Sequence, residues 1–513
     1  METVNSTAAR DDVVEKSSAQ AEHATQADGL WLIAIFIALA AWTYLLPPIW
    51  NHGEAREGLV VQNIVHNHNW ILPDANGRIP SKPPLYHWIA SVLAIVFGLS
   101  DWTVRLPSAL AAGAIATMTF VLGKAIGGRK TGWLAVGALL GMYEFWDAGT
   151  QARVDMVFAA CVTASLTAFF FWQRDGKESS RAACYLAAAL GVLAKGPAGA
   201  AFPALAILGF LGAEKSLARI RAFWSWRWIG AVLAIDIGWY AAAYHIGGSG
   251  FIVVQLLREN FDQVLGAHGF SSRHGRLAAL AWLATRVFPW NLALVWCLVR
   301  RLRGERADAT ERLLHAWWMA IFFIVFLSTI KRAVYLLPAY PAIALLAGRA
   351  LASVAAIGRQ DVHSRLAAMK SYLTATPQRL ALSIVIVDLA LVLPNPSLWK
   401  RENSYRGMLN FVREVAAAVP QSSLLSATPE LSNPTRAVVA YRLQRNILQL
   451  PLSCGTPGDY FLMRGEDVPE TGVKVLATSA DERTALVTGA TPQAKMCAAE
   501  KGEAPEDPQD DSD

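Results

Sequence analysis

Most of the chain alternates long apolar stretches with short polar connections. Apolar segments near the length of a bilayer crossing lie at 30–48, 103–123, 131–149, 155–173, 182–212, 227–246, 277–299, 314–330, 334–350 and 380–394. The stretch 182–212 is interrupted at Lys195-Gly-Pro197 and reads as two short helices. The pattern therefore predicts about eleven spans, all helical, because a bilayer core offers a lone backbone no hydrogen-bond partner. Leu85 to Gly98 is apolar too, but at about fourteen residues it is short for a crossing and is predicted to lie along the membrane surface. Beyond residue 400 the pattern changes to short alternating runs at 437–441, 459–463 and 473–477, separated by Pro and Gly. These predict a small α/β domain over 399–492. The expected fold is thus a polytopic α-helical membrane domain over 29–398, with an outer loop at 49–101, followed by that domain. Residues 1–28 are polar and 493–513 acidic, and both are predicted to be disordered tails.

Composition agrees with this reading. With 54% hydrophobic and 17% charged residues among 513, the apolar runs are too many for one soluble core. Residues 1–28 contain no apolar signal-peptide core, so the first span is expected to be uncleaved. The net charge of +6 comes from basic residues dispersed among loops, which gives no reason to expect nucleic acid as a partner. With Leu85 to Gly98 on the surface, the clusters around Lys124/Lys130, Arg174/Arg181, Lys215/Arg227, Arg300/Arg312 and Arg349/Arg379 share one face. The positive-inside rule makes that face cytoplasmic, with the 49–101 loop and the C-terminal domain outside. Of the five cysteines, Cys161, Cys184 and Cys297 fall in predicted spans as small apolar residues. Cys454 and Cys497 fall in the outer domain, where a disulfide is open to them.

The candidate chemistry gathers on the opposite, outer face. Glu54 and Arg56 follow the first span directly, and Lys82 is followed by two prolines that fix its backbone. Arg153-Val-Asp155, Lys195-Gly-Pro197, Arg258-Glu-Asn260, the loop from His268 to His274, and Lys331-Arg332 with Tyr335 lie at the outer helix ends. Ionisable groups at that depth are costly and persist through pairing or function. A carboxylate among convergent cations suits activation of an acceptor beside a lipid-borne phosphate.

The motifs Gly53-Glu-Ala-Arg56, Pro80-Ser-Lys-Pro-Pro84, Arg105-Leu-Pro-Ser108, Ala152-Arg-Val-Asp155, Leu193-Ala-Lys-Gly-Pro197, Gly238-Trp-Tyr240, Phe288-Pro-Trp290 and Lys331 to Pro338 carry a resemblance. In order and spacing, over about residues 30–350, the chain resembles the aminoarabinose transferase and protein mannosyltransferase family of integral-membrane glycosyltransferases. The resemblance implies a GT-C fold in the bacterial inner membrane with its active site facing the periplasm. It implies inverting transfer of a sugar from an undecaprenyl-type polyprenyl phosphate to a cell-envelope acceptor such as lipid A, a glycan or a protein.

On that view Arg56, Lys82, Lys331 and Tyr335 would hold the donor phosphate, and Arg153, Lys195, Arg258 and Asn260 would bind substrate. Glu54 and Asp155 are the candidate catalytic carboxylates. The chain departs from the family pattern at Gly53, where an aspartate is usual, and at Ser81, where a glutamate is usual. A divalent metal stays open as a cofactor, with His268 and His274 as its candidate ligands. A lipid-linked sugar transporter or flippase, and a catalytically inactive binding member of the fold, are the alternative readings.

Overall fold

The computed structural model describes residues 25–255, 257, 275, 277–329, 332–357, 396–431, 433–452, 459–480 and 483–489. Arg258, Asn260, His268, His274, Lys331, Cys454, Cys497, the 380–394 span, residues 1–24 and the 493–513 tail lie outside the described residues.

The chain opens with α1 (Thr25–Leu45). Two helices of the first loop follow, α2 (His52–Asn67) and α3 (Leu85–Phe97). The helical core is built from α4 (Asp101–Leu140), α5 (Tyr143–Thr150), α6 (Val154–Asp175), α7 (Glu178–Lys195) and α8 (Ala198–Ala213). The short α9 (Leu217–Phe223), α10 (Trp226–Phe251), α11 (Ala278–Thr285), α12 (Leu292–Leu302) and α13 (Ala309–Leu327) continue it. A 3-10 turn (Ala333–Ala339) then leads into α14 (Tyr340–Ile357). Among the described residues six helices are long and apolar enough to cross a membrane: α1, α4, α6, α10, α13, and the turn joined to α14.

Several of the predicted spans are shorter helices, because the backbone breaks them. Forty residues of straight helix would run ~60 Å, twice a hydrocarbon core. Instead α4 breaks at Gly127-Gly128, where Gly128 takes φ 84°. The two legs then fold back so closely that a Cβ on Gly123 would meet the Cα of Gly132 at 2.6 Å. The predicted pair 103–123 and 131–149 is therefore present as two legs folded back on each other, the second ending at Leu140 before α5. The segment 277–299, expected as one span, is two helices separated at Phe288-Pro289, because proline supplies no donor for a continuing helix. The break at Lys195-Gly-Pro197 and the short surface-length helix at 85–97 are as the sequence predicts.

The C-terminal domain begins with α15 (Pro396–Ala418). It continues β1 (Leu425–Ala427), α16 (Asn433–Leu443), β2 (Leu448–Gln449), β3 (Tyr460–Arg464), β4 (Val473–Thr478) and β5 (Thr484–Gly489). The five-stranded sheet has the order β2-β1-β3-β5-β4. β1 pairs in parallel with β2 and β3, which makes α16 a crossover helix, and β3 and β4 pair antiparallel with β5.

This domain is fastened to the first loop. Gln62 Nε2 donates to the Tyr441 carbonyl at 2.9 Å, and Asn76 exchanges two hydrogen bonds with the Ile447 backbone at 3.0 and 2.6 Å. Asp101 accepts from the Tyr441 hydroxyl at 2.8 Å, from Arg442 at 2.9 Å and from the Ile49 amide at 2.9 Å. The Tyr441 ring lies so close to Gly58 that a Cβ there would sit 2.4 Å from it. Glycine is what lets α2 and α16 approach.

Candidate functional site

Two carboxylates stand at this end of the bundle, in different surroundings. Glu54 lies in the first turn of α2, capped by Asn51: the Asn51 Oδ1 accepts from the Glu54 amide, and its Nδ2 donates to Glu54 Oε2, both at 2.9 Å. Arg105 reaches across from α4, with Nε on Oε1 at 2.7 Å and Nη2 on Oε2 at 2.8 Å. The Ala152 amide adds a fourth bond to Oε1 at 2.9 Å. Both partners are buried, Glu54 to 2% exposure and Arg105 to 3%. Burial alone would raise the carboxyl's pKa, and Arg105, the Ala152 amide and Asn51 together outweigh it and hold it below the ordinary range. Each oxygen accepts twice, so the carboxylate has little capacity left to take a proton from a substrate. Glu54 pins the α1–α2, α4 and α5–α6 segments together; this geometry argues against the catalytic-base reading of this residue.

Asp155 is placed differently. It sits in the first turn of α6, and the Lys195 ammonium at the end of α7 donates to its Oδ1. The side chains of Asp155 and Lys195 stay 18% and 14% exposed, so the pair is reachable from outside. Lys195 Nζ also lies 4.0 Å from the centre of the Tyr335 ring and 5.4 Å from that of Phe158. The charges of Arg153 and Lys82 act on the same carboxylate. Arg153 is held at the α6 N-terminus by Ser108, which bonds its backbone N–H and C=O at 3.1 Å each. The Lys82 backbone is held by Pro83 and Pro84 and by Gln255, whose Nε2 donates to the Lys82 carbonyl at 3.1 Å. The structure therefore brings Lys82, Arg153, Asp155, Lys195 and Tyr335 together around one carboxylate.

Arg56 goes elsewhere. Its guanidinium bonds Glu57 Oε1 at 3.1 and 3.3 Å, while Glu57 Oε2 lies 2.6 Å from His87 Nε2. Burial would raise the Glu57 carboxyl, but Arg56 and His87 outweigh it and hold it at about 2. His52, one turn before Arg56 on α2, has an imidazole pushed down to about 3 by burial and by the charges of Arg56, Arg332 and Arg436, with Glu57 opposing. Sequence reasoning passed over His52, Glu57, His87 and Arg436. The i, i+4 spacing of His52 and Arg56 was the available signal for the first; Arg436 carries none, since its position depends on docking across the domain boundary.

A candidate metal group exists only at a distance from this chemistry. Among the described residues, Cys297, Glu311 and His315 place donor atoms within 4.8 Å of one another. Glu311 is already near Arg300 at 3.5 Å and Arg301 at 3.9 Å, and His315 Nδ1 accepts from Trp318 Nε1 at 2.9 Å. A carboxylate shared with guanidinium groups and an imidazole bonded through one nitrogen make a poor cation site.

The helical core, with one accessible carboxylate among lysine and arginine side chains, has the fold of solved integral-membrane glycosyltransferases. Residues 81–239 match the family described as dolichyl-phosphate-mannose-protein mannosyltransferase. The chain is 25% identical over 324 residues to an undecaprenyl phosphate-alpha-4-amino-4-deoxy-L-arabinose arabinosyl transferase of Shewanella sediminis, covering 60% of this chain and 58% of that one. It is 25% identical over 378 residues to the protein of the same name from Pectobacterium carotovorum, covering 70% and 66%. The match thus spans less than two thirds of the length of these relatives. The crystal structure of ArnT from Cupriavidus metallidurans bound to undecaprenyl phosphate superposes with a TM-score of 0.69 at 16% identity, over 90% of this chain and 99% of that one. The archaeal oligosaccharyltransferase AglB from Archaeoglobus fulgidus shares the fold more loosely, with a TM-score of 0.50 at 12% identity over 86% and 70%. The chain is thus similar in sequence to aminoarabinose transferases and, over residues 81–239, to the protein mannosyltransferase family, and it shares the fold of ArnT.

Proposed function

We propose that the chain transfers a sugar from a polyprenyl-phosphate donor to a cell-envelope acceptor, acting at the periplasmic face of the bacterial inner membrane. The observation that carries the reading is the accessible Asp155–Lys195 pair beneath Tyr335, with Lys82 and Arg153 acting on the same carboxylate. The similarity to relatives named as undecaprenyl-phosphate sugar transferases supports it.

The chemistry follows from the placement. The bond from the anomeric carbon to the phosphate oxygen breaks while the acceptor's nucleophilic atom bonds to the opposite face of that carbon, which inverts it. The leaving polyprenyl phosphate gains a negative charge as it departs, and Lys82 and Lys195 are the cations positioned to stabilise that charge. The nucleophile's proton passes to the Asp155 carboxylate, the accessible acid of the cluster. Tyr335 keeps the Lys195 ammonium over the site through its ring face.

The test is transfer of label from a panel of undecaprenyl-phosphate sugars to cell-envelope fractions by purified wild type and Lys82→Ala. Transfer by the wild type that is lost in Lys82→Ala supports the reading, and equal transfer by both sinks the phosphate assignment. Fractionating the labelled product identifies the acceptor as lipid A, glycan or protein.

A further inference from the structure

The segment between α8 and α10 is built to lie at a membrane edge. α8 stops at Ala213 and the apolar span of α10 starts at Trp226, so the residues between them, with the short α9, sit where the chain leaves and re-enters the apolar layer. α9 docks by one side only. Ile220 and Phe223 turn inward, and the Phe223 ring stacks on Tyr185 with centroids 5.2 Å apart and lies 4.8 Å from that of Trp172. Arg181 on α7 donates to the Ala222 carbonyl at 2.8 Å, and Arg219 donates to Gln173 Oε1 at 3.3 Å. α7 runs from this clasp to Lys195, so the segment stands at the end of the bundle opposite the Asp155 pair.

The other side of the segment is exposed and basic. The acids nearest in sequence are taken: Asp175 by Arg174, Glu178 by Arg181 and the Trp228 indole, and Glu214 by Arg312. Lys215, Arg219, Arg221 and Arg227 are exposed and, among the described residues, form no ion pair. Two indoles stand among these cations. Trp224 is 51% and Trp226 75% exposed, and the two rings meet edge to face with centroids 5.1 Å apart. Apolar exposure continues from Trp226 along α10 at Leu233, Ile235 and Ile237. Large apolar side chains exposed along a span face acyl chains, which puts indoles and cations at the end of that surface at headgroup level.

We propose that Lys215, Arg219, Arg221 and Arg227, with Trp224 and Trp226, bind anionic phospholipid headgroups of the leaflet on this side, which the positive-inside rule makes the cytoplasmic one. The occupant is a lipid and not an acidic protein because the patch is continuous with the exposed apolar face of α10 and carries indoles at the join. Guanidinium and ammonium groups match the phosphate oxygens of the headgroup, while the indole rings lie along its glycerol and upper acyl region. Bound headgroups neutralise like charges that otherwise repel one another, and so hold α9 against α7. Nothing in this site depends on the transferase reading.

The test measures the affinity of the purified full-length protein in detergent for phosphatidylglycerol and for phosphatidylcholine of the same acyl chains, by native mass spectrometry. The proteins are wild type, the double variant Lys215→Gln with Arg221→Gln, the double variant Trp224→Ala with Trp226→Ala, and Arg303→Gln, an exposed arginine of another basic loop. A cation at an anionic lipid surface contributes about fivefold in affinity. The wild type should prefer phosphatidylglycerol, and the Lys215/Arg221 variant should bind it roughly twentyfold more weakly while phosphatidylcholine is unchanged. The tryptophan variant should weaken both lipids, and Arg303→Gln should match wild type. The replaced side chains are exposed, so unfolding temperatures without added lipid should stay at the wild-type value. A Lys215/Arg221 variant that keeps the wild-type affinity for phosphatidylglycerol overturns the site. A wild type with no preference between the lipids overturns it too and leaves the patch to an acidic protein segment. An Arg303→Gln loss as large as that of the double variant also overturns it, since dispersed charge then accounts for the preference.

Discussion

Glu54 and Asp155 are both acids in the first turn of a helix at one end of the same bundle, both held by a cation from another helix, and they have opposite capacities. Glu54 is sealed by four donors that use both faces of the carboxylate. Asp155 is held through one oxygen by a lysine, and the pair remains partly exposed beside an aromatic ring. The lesson is that position in a motif does not assign a role to an acid. The number of donors already satisfied and the access left over do.

The strongest way to break this comparison is to neutralise each acid in turn. Asp155→Asn should lower transfer by about 10²- to 10⁴-fold, the usual contribution of a positioned general base, while thermal unfolding stays near wild type. Glu54→Gln should do the reverse in order of cause. Removing one partner of a buried pair leaves Arg105 uncompensated and should cost about 3–5 kcal/mol, read as a drop in unfolding temperature before any activity is assayed. An Asp155 variant that unfolds early, or a Glu54 variant as stable as wild type, would reverse the two roles.

A smaller effect sharpens the comparison at the domain contact. Gly58→Ala places a methyl against the Tyr441 ring and should destabilise by about 1–3 kcal/mol through overpacking, unless the ring can turn away. Limited proteolysis of the C-terminal domain would rise with it.

The loop acids and bases also set a pH dependence. His52 has its imidazole depressed from 6.5 to about 3, so below 6.5 the unfolded chain takes up a proton that the folded chain refuses. Stability is therefore present above that value and is lost as pH falls toward 3. Glu57, depressed from 4.5 to about 2, adds a second loss with the same sign as pH falls from 4.5 toward 2. Unfolding temperature should decline on acidification, and His52→Gln should flatten the part of the decline above pH 4.5 and make the part between 4.5 and 3 shallower, leaving the Glu57 share.

The smallest effect concerns Gly53, where the family pattern has an aspartate. A Cβ at this helical position would meet Asn51 Oδ1 at 3.5 Å, an ordinary contact, and an acid near a helix N-terminus is favoured. Gly53→Asp should change stability by less than about 0.5 kcal/mol, so any change in transfer can be read as chemistry.

Much of the fold was legible because apolar length is a strong signal. The single spans at 30–48, 155–173 and 227–246 correspond to α1, α6 and α10, and the break at Lys195-Gly-Pro197 is marked by its proline. The break at Gly127-Gly128 falls in the predicted gap between 103–123 and 131–149, whereas that at Phe288-Pro289 was less legible, because it lies inside an apolar run that hydropathy alone joins. At the site, the sequence offered Glu54 and Asp155 as equals. It could not separate them, since the donors that seal Glu54 come from Arg105 and Ala152, 51 and 98 residues away. The charge of Arg436 reaches His52 only once α16 docks on α2, and no local spacing announces that.

The most direct test of the account is transfer by purified Asp155→Asn under conditions where the wild type turns over, with both proteins matched for unfolding temperature. The account predicts loss of transfer in the variant with unfolding unchanged. Wild-type transfer by a well-folded Asp155→Asn protein would contradict it and move the working carboxylate elsewhere.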